Sequence, residues 1–351
     1  MSKLILVTGA DGFVGRHLVS SLLAAGHQVR ALDKVFRSPP ENGAERITAD
    51  ILDKAIILAA MQGVDSVYHL AAITSLWMPE DDIYHTVNVE GTHRVLEAAI
   101  EAGVQRFVHC SSFVTKIAGP RINRPIKEDN IAPSDELFGA YARSKNRADR
   151  LVIDSDYRIE TVIVLPSAPL GPGDFNMTAP TCFIRDLANG TIPATIDQLI
   201  NFVDVQLLAD AIAIAGEVAE PGERYLLTGK NRNMKDFLKI MEDVTGLEMP
   251  RLRVPYAIAA TASFVEEKII CALTKKPPKA PYAGVRMAGR KFEFDCSKAM
   301  NDLDINLYPI EDALTESLLW LKKEGHLTRA LPAIDDLEGF NDAQEMSEPQ
   351  E

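Results

Sequence analysis

The chain has 351 residues, 46% hydrophobic and 25% charged, with a formal net charge of −13. This balance supports a sizeable core and excludes bulk disorder, and the acidic surplus excludes a general nucleic-acid binder, which needs a basic face. Small anionic ligands held by local donors stay possible.

Leu4–Val7 leads straight into a turn, as a first strand does and a signal peptide does not. Strands are predicted over Leu4–Thr8, Gln28–Asp33, Arg46–Ala49, Ser66–Ala71, Arg106–Ser111 and Thr161–Leu165. Helices are predicted between them, over Val14–Ala25, Lys54–Gln62, Asp82–Ala102 and Ala140–Asp154, with Gly26 and Gly103 as C-terminal caps. This alternation implies an α/β fold, a doubly wound parallel sheet of Rossmann type. Pro166, Pro169, Gly171, Pro172 and Gly173 then crowd a loop. A smaller substrate lobe follows: helix Ala179–Ala188, strand Asn201–Val205, helix Leu207–Ala219, strand Arg224–Thr228 and helix Asn233–Thr245, with elements that rejoin the main sheet. The expected division is 1–165 for cofactor, 166–329 mainly for substrate, and 330–351 as a loosely ordered tail with seven acidic residues. Val254–Val265 is the most apolar run, about half the length needed to span a bilayer. Cys110, Cys182, Cys271 and Cys296 form no CxxC pair or zinc spacing, and read as reduced thiols of a cytosolic protein with no metal.

Strand Leu4–Thr8 runs into Gly9-Ala10-Asp11-Gly12-Phe13-Val14-Gly15 and a helix start. Gly9 permits the tight turn, Gly12 lets backbone approach a pyrophosphate, and Gly15 lets helix pack close to strand. The helix then offers free amides and a positive dipole end to phosphates. Asp33 closes the second strand, where a carboxylate accepts the ribose hydroxyls of NAD and repels the 2′-phosphate of NADP. Lys34 and Arg37 follow closely and could accommodate that phosphate.

Together with Asp50-Ile51, His69-Leu70-Ala71-Ala72 and Asn88-Val89-Glu90-Gly91-Thr92, these motifs resemble the extended short-chain dehydrogenase/reductase superfamily over roughly residues 3–326. The resemblance implies NAD as cofactor, a homodimer, and cofactor contacts from Gly9, Asp11, Gly12, Phe13, Val14, Gly15 and Asp33. It implies Asp50 and Ile51 at the adenine, and Leu70, Ala71 and Ala72 along the middle of the cofactor. Asn88 would be a structural hydrogen-bonding residue, and His69 reads as a packed strand residue.

Tyr141-Ala142-Arg143-Ser144-Lys145 is a YxxxK motif, which on a helix sets phenol and ammonium on one face. Lys145 and a cationic nicotinamide are expected to pull the phenol pKa down, so that Tyr141 moves a substrate proton near neutrality. The partner hydroxyl is Ser112, with Ser111 as its rival, at the carboxyl edge of the fifth strand. Similar proteins often continue Val-Tyr-Gly after this serine, whereas Phe113-Val114-Thr115-Lys116 follows here. By the same resemblance, Pro166 and Ser167 meet the nicotinamide carboxamide and Lys145 holds its ribose; Leu165 stands where many relatives carry Arg.

Sugar-nucleotide epimerases of this type hold a diphosphate with an arginine at the position of Ile200. Between Pro166 and Val205 the only basic residue is Arg185. From Arg253 to Leu273, apolar residues at Ile258, Ala262, Val265, Ile269 and Ala272 follow helical spacing. That stripe reads as a helix packed on the lobe, or as one lining an apolar pocket or resting on a membrane surface. Lys276 to Tyr282 followed by Phe292 to Ala299 most resembles the 3β-hydroxysteroid dehydrogenase and sterol-4-carboxylate 3-dehydrogenase branch, and also dihydroflavonol-reductase-like and hopanoid-associated epimerase-like proteins. The expected activity is oxidation of a secondary alcohol, or reduction of the ketone, of an apolar cyclic substrate. The alternatives are a sugar epimerase or dehydratase that uses NAD transiently, and a non-catalytic NAD sensor.

Overall fold

The computed structural model describes residues 2–39, 43–119 and 124–336. Seven parallel strands form the main sheet: β1 (Leu4–Thr8), β2 (Gln28–Asp33), β3 (Ala44–Thr48), β4 (Ser66–His69), β5 (Arg106–Cys110), β6 (Glu160–Pro166) and a late strand, Arg224–Leu227. The spatial order is late strand, β6, β5, β4, β1, β2, β3, so the direction of winding reverses between β1 and β4. Ligands bind in the crevice at such a reversal, outside the carboxyl ends of the strands.

The helices α1 (Phe13–Ala24), α2 (Lys54–Ala60), α3 (Thr92–Glu101) and α4 (Gly139–Ile153) cover the sheet, together with Val205–Val218. One face buries Leu6, Leu32, Val67, Val95, Phe107 and Leu165; the other buries Ile5, Val7, Leu18, Val108, Val164 and Ile212. The alternation Ile5/Leu6/Val7 thus feeds both faces, as a strand period of two dictates. Gly26 and Gly103 follow α1 and α3 with φ of 86° and 74°, the left-handed geometry that ends a helix.

The segment predicted as one helix over Asp82–Ala102 is interrupted. Asp82–Tyr84 is α-helical, His85–Gly91 is a π turn, and α3 follows. Asn88 is buried within the wide turn, four residues after the buried Tyr84, and helical periodicity carries no signal for the turn itself.

The smaller lobe has its own core, which includes Ile184, Leu187, Phe237, Met241, Leu314 and Leu318. The first residues of the stretch expected to be loose pack on this core. Residues 332–336 are helical, Leu331 and Ile334 are buried in this core, and Lys322 pairs with Asp335 at 2.6 Å. Two apolar side chains at a spacing of three anchor that turn despite the acidic background. Residues 337–351 lie outside the described residues.

The apolar stripe between Arg253 and Leu273 lies on Tyr256–Val265 and the π turn Glu266–Cys271. It is not packed on the lobe: Ile258, Ala262, Val265 and Ile269 face outward, while Ser263 and Cys271 are buried. Ser263 donates to the Ala280 carbonyl at 2.7 Å, so the small polar side of the helix makes the protein contact. Among the described residues no helix is long and apolar enough to cross a membrane.

Candidate active site

Gly9 has φ of 71°, and a Cβ there would lie 2.6 Å from the Ala71 amide nitrogen. A Cβ on Gly15 would lie 2.1 Å from the Gly9 carbonyl oxygen. Both positions admit only hydrogen, which holds β1, the loop and α1 in close register. The start of α1 at Gly12 has no side-chain cap and no acidic residue in its first turn, so its dipole end is left for an external anion. Phe13 is buried and Val14 half-buried.

Asp33 stands at the end of β2. Its carboxylate accepts from the Asp11 amide at 2.9 Å and the Lys34 amide at 2.7 Å. Burial lifts its pKa above the ordinary value, against the pull of these amides. The Asp11 carboxylate is turned elsewhere, onto the Arg37 amide at 2.7 Å and the Ser38 amide at 3.2 Å, and fixes the loop after β2. The two cations near Asp33 are both engaged: Lys34 with Asp50 at 2.8 Å, and Arg37 with the Asn176 side chain at 2.7 Å. Ile51 is buried against Gly91, and Leu70, Ala71 and Ala72 are partly exposed beyond the end of β4. Pro166 ends β6 and Ser167 follows; the Ser167 hydroxyl is buried and has no partner among the described residues. A hydrogen-only glycine turn, an uncapped helix start, a carboxylate at the second strand end and an orphan hydroxyl at the sixth fit a dinucleotide such as NAD.

On α4, Tyr141 and Lys145 are both buried. The Ser112 hydroxyl faces Tyr141, whereas Ser111 faces Asp149. The two neighbouring serines, just beyond the end of β5, point to opposite sides because successive extended residues alternate. The expected lowering of the phenol is not seen in the chain itself. Burial pushes the Tyr141 pKa up, and only the neighbouring Ser112 hydroxyl opposes it. The Lys145 ammonium donates to the Cys110 carbonyl at 2.8 Å, and burial lowers its pKa.

A buried polar layer backs these groups. Asn88 clasps Ile73, accepting from its amide at 2.8 Å and donating to its carbonyl at 3.0 Å, and donates to Ser144 on α4 at 2.9 Å. It therefore ties the loop after β4 to the helix of Tyr141, as its expected structural role requires. Thr92 donates to the Asn88 carbonyl at 2.7 Å, so its oxygen accepts from His69 Nε2 at 2.9 Å. His69 Nδ1 then accepts from Thr8 at 2.7 Å, and the ring is a satisfied, neutral strand residue. His109 stacks on it at 5.7 Å and lies 3.4 Å from Asp149, one turn beyond Lys145; burial lowers the His109 pKa to about 4. Sequence reading missed this pair, although Tyr141, Lys145 and Asp149 share an i, i+4, i+8 face.

Apolar groups surround Tyr141: Tyr84 and Val114 pack with it, and Ile73, Leu76, Met78 and Met287 lie against them. The departure at Phe113–Lys116 is a 3-10 turn begun by Ser112, and Phe113 meets Phe294 edge-on at 5.3 Å. Leu165 and Ile200 are buried core residues. Arg185 pairs with Asp186 at 2.7 Å. The proline-rich loop is tied to α1: Arg16 donates to the Gly173 carbonyl at 3.1 Å, and His17 Nε2 to that of Pro172 at 3.0 Å. These pairings, more than 150 residues apart, have no local signature.

Residues 5–227 match the sequence profile of the NAD dependent epimerase/dehydratase family. The chain is 31% identical to the putative dihydroflavonol 4-reductase of Synechocystis sp., over 93% of this chain and 97% of that protein. It is 30% identical to sterol demethylase protein B of Methylococcus capsulatus, over 91% and 98%. The solved structure of MoeE5 in complex with UDP-glucose and NAD superimposes with a TM-score of 0.72 at 21% identity, over 91% of this chain and 99% of that one, and shares the fold.

Proposed function

The chain belongs to the NAD dependent epimerase/dehydratase family, and from that premise we propose that this NAD-dependent enzyme oxidises a secondary alcohol, or reduces the ketone, of an apolar cyclic molecule such as a sterol or related terpenoid. The observation that carries this reading is the apolar packing around Tyr141, from Ile73, Leu76, Met78, Tyr84, Val114 and Met287. Ile200, buried at the position of a diphosphate-binding arginine, and Arg185, paired with Asp186, argue against a nucleotide sugar.

Asp33 holds the adenosine ribose, the start of α1 the pyrophosphate, and Lys145 the nicotinamide ribose. NAD supplies the hydride acceptor or donor. Ser112 positions the substrate oxygen and Tyr141 takes or returns its proton. Lys145, with two ammonium protons beyond the one given to Cys110, orients the ribose and favours the phenolate. In a 4-carboxysterol, a carboxylate beta to the new ketone would leave readily as carbon dioxide.

The test is net NADH formation across sterols, other alicyclic alcohols and nucleotide sugars. A dehydrogenase accumulates NADH in proportion to product, whereas an epimerase returns the hydride. Turnover of a UDP-, GDP- or dTDP-sugar without net NADH, and no oxidation of any sterol, would replace this reading with the epimerase.

A further inference from the structure

The outward helix at Tyr256–Val265 reverses the usual order of burial. It presents Ile258 at 60% exposure and, through the turn that follows, Ile269 at 54% and Leu273 at 81%, while it buries Ser263. Exposed apolar side chains are ordinary singly, but a row along one helix marks an interaction surface. The row from Ile258 to Leu273 is about 23 Å long at 1.5 Å per residue, too short to span a bilayer and long enough to lie in its surface.

Its charge is local and opposite to that of the chain. Residues 268–279 hold Lys268, Lys275, Lys276 and Lys279 and no acid, in a protein of net charge −13. Lys268 lies 3.7 Å from Glu267, and the ammonium groups of Lys275, Lys276 and Lys279 make no ion pair among the described residues. The two acids of the turn point back into the protein: Glu266 accepts from the Lys279 amide at 3.2 Å, and Glu267 from the Tyr282 amide at 2.8 Å. What remains outside is apolar and cationic.

We infer that this helix docks on the surface of an anionic lipid bilayer, with Ile258, Ile269 and Leu273 in the acyl boundary and Lys275, Lys276 and Lys279 at the headgroups. A second copy of the chain fits less well, because it would bring the same cations to the contact. The helix is also close to the reaction centre. Phe264 meets Tyr282 edge-on at 5.3 Å, and Tyr282 opens the helix Tyr282–Ala288, whose Met287 packs toward Tyr141. The docking goes beyond the proposed reaction and stands whatever the substrate is.

The experiment is co-sedimentation of the full chain with vesicles of phosphatidylcholine alone and of phosphatidylcholine mixed with phosphatidylglycerol. The protein is expected to pellet with the mixed vesicles and to be released by salt. Lys275→Gln with Lys276→Gln should weaken binding about 25-fold at low salt, at about fivefold per lysine. Ile258→Ser, Ile269→Ser and Leu273→Ser together should abolish it, with NAD binding unchanged. Failure to pellet with mixed vesicles, equal pelleting with neutral ones, or binding that both variants retain would overturn the inference. So would self-association of the wild type, seen by light scattering, that the triple variant loses.

Discussion

The Lys34 ammonium lies 2.8 Å from the Asp50 carboxylate, beside the end of β2 where Asp33 stands. With Arg37 held by Asn176, neither nearby cation is free to receive a 2′-phosphate. Catalytic efficiency with NAD should exceed that with NADP by at least about tenfold, which is about 1.4 kcal/mol. Asp33→Ser should narrow that ratio. Equal use of both cofactors by the wild type would show that Lys34 or Arg37 leaves its partner.

Tyr141→Phe should lower turnover by about 10²–10⁴ and leave NAD binding intact by calorimetry. Near-normal turnover would mean that the proton moves elsewhere. Lys145→Met should weaken both NAD binding and turnover.

Alcohol oxidation needs the phenolate, so its rate should rise with pH through the Tyr141 titration. The neighbouring Ser112 hydroxyl lowers this pKa against burial. Ser112→Ala removes that influence and should move the limb to higher pH. An unmoved limb would assign the titration to another group.

Gly15→Ala sets a Cβ against the Gly9 carbonyl and should cost about 1–3 kcal/mol of stability together with NAD affinity. Gly26→Ala is the control. Its Cβ meets nothing within 4 Å, so it should show only backbone strain, about 1 kcal/mol, with unchanged NAD binding.

His109 is buried and its folded pKa, about 4, lies below the unfolded value near 6.5. The unfolded chain therefore takes the proton first as pH falls. Stability should be full above about pH 6.5 and decline toward pH 4, by about 2 kcal/mol at pH 5 from this residue. His109→Gln should flatten the fall in Tm between pH 7 and pH 5; an unchanged slope would remove His109 as its source.

The glycine loop, the strand ends and the YxxxK helix were legible because their signals are local: hydrogen-only turns, alternating strands and an i, i+4 pair. What the sequence could not show is tertiary. Nothing near Arg16 announces Gly173, nothing near His109 announces Asp149, and the stripe at Ile258 and Ile269 reads identically whether it faces a core or the outside. Leu331 and Ile334 lie in so acidic a stretch that composition outweighed their anchoring.

The wide turn at His85–Gly91 acts as a phase shift in the side-chain order of its helix. Before it, Tyr84 faces Tyr141; within and after it, Asn88 clasps Ile73 and Thr92 meets His69. The three stand four residues apart, a spacing that keeps them on one side of the helix, and the wide turn changes the angle between them and not the face they share. A one-residue deletion there should convert the wide turn to ordinary α-helix while changing the angle at which Asn88 meets Ile73, so the segment can gain helical regularity only at the expense of that clasp.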